Sequence, residues 1–308
     1  MAFNVTSNYA GKAAGFYISA ALQSVVSLDY ITMMENIKFQ KSLQIMDAAV
    51  TPVAAATCNF TDAGTLNLTE KTLVPANNQI NLDLCKAELL DSWEAMTMRA
   101  GAGAPPPATF NDYVISYMGD IIASATETSI WAGVANAGGD FIGFTGAGAA
   151  GWLRAGAPDP AIQTALTGGA GVAPTALTII ANLQEAVDNI PAAVIGKDDL
   201  YLYINQQNWQ MYIQAVSALT GFPYGNMSDE YTKQFNGIKI AVVNGLQNAA
   251  IVAATKSNLY FGTDLISDAT RIQLLDMASL DGSDNMRMVC RYSAGTQTGI
   301  GSDIVLVS

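Results

Sequence analysis

One stretch limits the possible folds of this chain more than any other. In FNDYVISYMGDIIASATETSIWAGVA (Phe110–Ala135), Phe110, Val114, Tyr117, Ile121, Ala125, Thr128 and Trp131 return at three- and four-residue steps and so share one helical face. Tyr113, Met118 and Ile122 widen that face, and Gly119 is the one weak helix former on it. The Pro105-Pro106-Pro107 run ahead of it cannot be helix interior, because proline lacks the N–H and clashes with the preceding turn. Thr109 with Asp112 offers a capping-box-like start, and Gly138-Gly139 marks the stop. At 1.5 Å rise per residue the helix would be about 39 Å long, enough to serve as the spine of a domain.

Length and composition bound the rest. A chain of 308 residues allows one large domain or two to three smaller ones, with a substantial core. Half the residues are hydrophobic, yet no run of about 18 apolar residues occurs, so no membrane span is expected. Ala13–Leu28 is moderately apolar and follows Lys12, but Ser19, Gln23, Ser24 and Ser27 break it and no A-x-A site follows, which argues against a signal peptide. The net charge of −12 and the pI near 4.2 argue against a surface that grips nucleic acid, since the 14 basic residues are scattered singly. There is no histidine, which removes Ser-His-Asp and Cys-His chemistry, histidine-ligated metals and the usual neutral-pH proton shuttle. Cys58, Cys85 and Cys290 lie far apart without a C-x-x-C, and read as reduced thiols packed as small hydrophobes.

Along the chain, residues 1–36 read as an arm, with a candidate short helix at Ala20–Met34. Ile37–Met46 is a plausible strand, and Val50–Pro75 is polar and β-prone, with Leu66 and Leu68 alternating against Thr and Asn and Asp62–Gly64 as the turn of a long hairpin. Such a hairpin carries little apolar surface of its own and is marginal in isolation. Ile80–Leu84 reads as a strand leading into a helix at Lys86–Met98. After the spine, the glycine-rich region 138–171 is too long for an ordinary connection. Phe141, Phe144 and Trp152 sit in it as anchors, and the region is either mobile or held against a neighbour. From Pro174 the pattern becomes α/β: a helix at Thr175–Ile190 with Leu177, Ile180, Leu183 and Val187 on one face, a strand at Asp199–Asn205 and a helix at Gln206–Thr220. Strands follow at Gly237–Val243, Ala250–Ala254, Asn258–Thr263, Ile272–Met277, Asn285–Tyr292 and Ile304–Val307.

Four patterns invite a chemical reading. Gly146–Gly151 matches G-x-G-x-x-G, but Pro158 and Pro160 follow too soon for the helix that a dinucleotide site needs. A flexible loop is the better reading, and an α/β oxidoreductase remains only as an alternative. Asp281, Gly282 and Asp284 lack the spacing of a calcium loop, and Asp198-Asp199 reads as a solvated turn. Trp209, Tyr212, Tyr201 and Tyr203 would suit a base-stacking surface, but only Lys197 is near, so core or partner packing is favoured. The sequons at Asn4, Asn59, Asn67 and Asn226 count for little without an export signal. No residue is assigned a catalytic, cofactor-binding or metal-ligating role, and no enzymatic activity or cofactor is expected.

The order arm, polar hairpin, long helix, glycine-rich loop, α/β block and closing strands resembles that of the major capsid proteins of tailed bacteriophages, with their Hong Kong 97 type of shell fold. PTALTIIANLQEAVDNIPAAVIGKDDLYLYINQQNWQMYIQAVSAL resembles the helix–strand–helix of that family's axial domain. ATKSNLYFGTDLISDATRIQLLDM and DNMRMVCRYSAGTQTGIGSDIVLVS resemble its return to the peripheral domain and its closing strands. The resemblance implies an α+β fold divided into an N-terminal arm (1–36), an E-loop with flanking strands (37–85) and a peripheral domain (86–173) holding the spine helix (110–135) and glycine-rich loop (138–171). An axial domain (174–266) and C-terminal strands returning to the peripheral domain (267–308) complete it. The implied function is structural: self-assembly through pentamers and hexamers into an icosahedral virion shell around packaged double-stranded DNA, without sequence-specific binding. A portal protein is the implied partner, with scaffolding and decoration proteins as further candidates, and assembly in the bacterial host cytoplasm follows. Some members cross-link lysine to asparagine between subunits; Lys38, Lys41 and Lys71 fall in the corresponding hairpin, but no partner asparagine is identifiable. An encapsulin-like nanocompartment would share the fold.

Overall fold

The computed structural model of the chain describes residues 25–50, 64–85, 108–134, 141–146, 151–220, 233–264, 271–279, 282–283 and 285–308. Its first sheet is built around one long strand, β12 (Asn285–Thr298). Met286, Met288, Cys290 and Tyr292 alternate with the exposed Arg287 and Arg291, the period-two pattern of a strand with one wet face. On one edge β12 pairs antiparallel with β4 (Ala76–Cys85), from Asn285 opposite Cys85 to Ala294 opposite Ala76. On the other it pairs with β11 (Arg271–Asp276) and then β10 (Leu259–Thr263). β1 (Thr32–Met34) adds in parallel beyond β10.

The second sheet has the order β5-β13-β9-β6-β8-β7, formed by Ile162–Thr164, Val305–Val307, Ile251–Thr255, Leu200–Ile204, Ile238–Val242 and Gln234–Phe235 respectively. β6 and β8 are parallel, which requires a crossover; the helix α3 (Gln206–Thr220) lies in that connection. Asn205 starts it, its Oδ1 accepting from the Gln207 N–H at 2.9 Å. This sheet is buried on both faces, and β9 has no exposed residue. Leu202, Ile204, Ile240, Ile251 and Val305 pack toward α3 and α2 (Ile179–Asp188), while Tyr203, Ala241, Val252, Ala254 and Leu306 join the core around the spine helix α1 (Ala108–Ala132). Burial on both sides explains why these strands read as nearly continuous apolar runs. The third sheet is a two-stranded hairpin, β2 (Lys41–Val50) with β3 (Gly64–Leu73).

The fold is thus α+β, with several differences from the sequence reading. The segment read as a helix at Ala20–Met34 is, where described, a 3-10 turn (Val26–Tyr30) followed by β1. The spine starts at Ala108, so Thr109 lies inside its first turn and is not its cap. Over 119–132 the buried face carries Ile122, Ala123, Thr126, Glu127, Ile130 and Trp131, whereas Ile121, Ala125 and Thr128 are exposed. The inward face is therefore rotated by about one residue, roughly 100°, from the expected one. Alanine and threonine serve on either face, and the buried acid Glu127 disguised the true one. α2 begins at Ile179, after a turn in which the Thr178 N–H meets the Thr175 carbonyl at 3.0 Å, and Leu177 is 93% exposed where a core position was expected. Sheet membership also interleaves along the chain: β10 lies in the first sheet, while β13 pairs with β9 in the second and β5 adds beyond β13. The Lys86–Met98 helix and the Asp62–Ala63 turn lie outside the described residues.

The glycine-rich region is held, where described, by its own chain. Phe144 and Leu153 are fully buried, and the Phe144 N–H and Thr145 N–H donate to the Ile130 and Trp131 carbonyls at 2.9 and 2.7 Å, closing the end of the spine. A β-carbon on Gly143 would sit 2.6 Å from the Ser129 carbonyl, so only glycine allows this approach.

Candidate functional site: the hairpin and its seat

The hairpin is the least self-supporting element described. Its two ten-residue strands pair in register from Lys41 opposite Leu73 to Val50 opposite Gly64. Only its inner end is packed: Leu43 and Leu73 are buried, while Met46, Leu66 and Leu68 are each more than 60% exposed. Two polar contacts seat that inner end. Gln297 Nε2 donates to the Thr72 carbonyl at 2.9 Å. Lys71 Nζ donates to Asp159 Oδ2 at 2.8 Å, to the Thr298 carbonyl at 3.3 Å and to the Gly299 carbonyl, using all three ammonium hydrogens. Asp159 Oδ2 also accepts from the Gly301 N–H at 2.7 Å. Burial pushes the Asp159 carboxyl up, but the Lys71 hydrogen bond, the Gly301 amide and the ammonium charge together hold it below the ordinary carboxylate range.

A second polar node fixes the start of the described chain. Glu127 accepts from the Ser27 N–H (3.1 Å) and Ser27 Oγ (2.6 Å) through its two oxygens, and from the Gly245 N–H (3.3 Å). Trp131 Nε1 donates to Ser27 Oγ at 2.7 Å. One acid on the spine therefore ties the N-terminal segment to the loop before β9. Sequence reasoning missed Glu127 and Asp159 because neither belongs to a local pattern. Their partners are 100 and 88 residues away.

The other candidates are dispersed. Among Lys38, Lys41 and Lys71, only Lys71 has a side-chain partner given above, and Lys38 and Lys41 are exposed. Gly146 and Gly151 approach each other closely, and residues 151–178 contain turns and the short β5 but no helix, so the dinucleotide reading fails for want of a helix N-terminus. Asp281 and Asp284 lie outside the described residues. Asp199 is not merely solvated: Ser257 Oγ donates to its Oδ2 at 2.6 Å, and this bond foremost holds its carboxyl below the ordinary range. Tyr203 is fully buried, its hydroxyl donating to the Tyr30 carbonyl at 2.6 Å, and Trp209 is buried against Tyr212, so these aromatics are core and not a stacking platform. Cys290 is buried, and desolvation pushes its thiol up to about 12. Among the described residues no group of three or more acids and cysteines could hold a metal ion, and no helix is long and apolar enough to cross a membrane.

A seated, projecting hairpin, a long spine helix and a two-faced α/β sheet together make an architecture that solved structures share. The chain is similar over 95% of its length to 89% of a chain in the satellite phage P4 procapsid including size determination protein, at TM-score 0.62 and 11% identity. It is similar to a chain of the native GTA particle capsid at TM-score 0.57 and 13% identity, covering 92% of this chain and 90% of that one. For the capsid of Myoviridae phage XM1 the TM-score is 0.56 at 9% identity, covering 90% and 89%. No family model and no curated protein matches the sequence. The chain therefore has the fold of phage capsid proteins.

Proposed function

We propose that this chain is a major capsid protein of the Hong Kong 97-like type. It assembles through pentamers and hexamers into an icosahedral shell around packaged double-stranded DNA, in the cytoplasm of a bacterial host. In this reading β2 and β3 form the E-loop within 37–85, α1 is the spine of a peripheral domain spanning 86–173, residues 174–266 belong to the axial domain, and 267–308 carry the closing strands. A portal protein is its partner, and no catalytic step is needed. The observation that carries the reading is the hairpin: a long ladder whose outer apolar side chains Met46, Leu66 and Leu68 are each more than 60% exposed. Exposing such surface is costly unless another copy covers it. A net charge of −12 suits a container that must not hold its DNA tightly. The nanocompartment alternative is not favoured, since the capsids above belong to phages and a GTA particle.

Negative-stain electron microscopy with mass by light scattering tests this. Uniform closed shells, or pentamers and hexamers, are expected. A protein that stays monomeric or dimeric across concentration, salt and crowding conditions would overturn the proposal, and shells filled with an enzyme instead of DNA would redirect it to a nanocompartment.

A further inference from the structure

Among the described residues the structure contains both an exposed knob and an open groove. The knob is Phe39, 85% exposed at the foot of the hairpin and flanked by exposed Lys38 and Lys41. Aromatic side chains are enriched at protein–protein interfaces relative to the rest of the surface. The groove, about 890 Å³, runs between the hairpin and the loop after β12. Ile45, Leu66, Leu68 and Ile300 supply its apolar lining, and Glu70 and Asp303 its charge. The one cation in its lining, Lys71, is already engaged by Asp159. The groove thus combines an apolar wall with polar groups in which acids outnumber the single cation, and the knob is apolar with basic flanks.

We propose that Phe39, with Lys38 and Lys41, docks into this groove on a neighbouring copy of the chain. The inference rests on the shell reading and names the contact that would propagate it. The chain's own ring does not fill the groove: Phe39 is exposed to solvent and does not line it. Knob and groove are different surfaces, so the contact is heterologous, and a repeated heterologous contact closes into a ring when its rotation allows. The phenyl ring meets the leucine and isoleucine wall, and the lysine stems lie along it with their ammonium groups at Glu70 and Asp303.

The test places the photo-crosslinking residue p-benzoylphenylalanine at position 39 and assembles a mixture of isotope-light and isotope-heavy chains. Light–heavy cross-linked peptides joining residue 39 to 64–73 or 300–303 are expected. Particles that form normally but cross-link only within one chain, elsewhere on a neighbour, or not at all would overturn the docking and leave the shell reading standing. A wild-type chain that never oligomerises would overturn both. Independently, Lys38→Glu with Lys41→Glu is expected to lower particle yield at least tenfold without shifting the melting temperature of the free subunit. Adding Glu70→Lys and Asp303→Lys is expected to restore it. Wild-type yield from the first variant, or no recovery in the second, would count against the proposal.

Discussion

Lys71 and Asp159 join groups that are 19% and 38% exposed, so solvent screens part of their attraction. Lys71→Met would still strand two carbonyls and a carboxylate that share its hydrogens. The expected loss is about 1–2 kcal/mol, read as a fall of a few degrees in the melting temperature of the free subunit. Because the Asp159 carboxyl is held below its ordinary range, the unfolded chain binds its proton more readily. Its stabilisation is therefore complete above the ordinary carboxylate value and lost as pH falls through the lower folded one. The stability gap between wild type and Asp159→Asn should be constant near neutrality and shrink below about pH 4, which denaturant titrations at a series of pH values would measure. Glu127 lies deeper, and Glu127→Ala strips the acceptor from two amides and a hydroxyl at once. About 3 kcal/mol is the expected cost, by the same denaturant measurement.

At the scale of elements, the spine and the hairpin are opposites. Trp131 is wedged between Phe144 and Tyr203, with ring centroids 5.4 and 5.3 Å away, so the end of α1, the glycine-rich region and the second sheet meet at one side chain. Trp131→Ala should cost about 3–5 kcal/mol and release the 141–146 segment, seen as faster amide exchange there. Among the described residues, the outer half of the hairpin is held mainly by its own ladder. Hydrogen exchange on the free subunit should find residues 46–50 and 64–68 nearly unprotected and the ladder near Leu43 and Leu73 slower. The same amides should become protected on assembly. Protection of the outer half in the monomer would mean that the ladder is stable without a neighbour.

For the whole molecule, the legible part of the fold was what local pattern alone can specify. The spine, the hairpin, α3 and strands β6, β8, β9 and β12 all follow from period, bounding prolines and glycines, and runs of β-branched residues. Much of the candidate site was less legible. The hairpin's want of apolar surface was visible, but not that Lys71 anchors it, because Asp159 sits in an unremarkable Pro-Asp-Pro of a glycine-rich stretch. Phe39 gave a signal in its lysine flanks that the reading of Ile37–Met46 as a plain strand passed over.

By itself, then, the chain's sequence determined the spine, the hairpin and most of the described strands, the α+β character, and the absence of histidine chemistry. Only the tertiary structure decided which side of the spine faces inward, that Leu177 points to solvent, that β13 closes the second sheet beside β9, and that the glycine-rich region seals the spine's end where it is described. Periodicity establishes that a helix has a face but not which neighbour will claim it. That choice is made by contacts between residues about a hundred positions apart, such as Glu127 with Ser27 and Gly245, whose free energy exists only once the chain has closed.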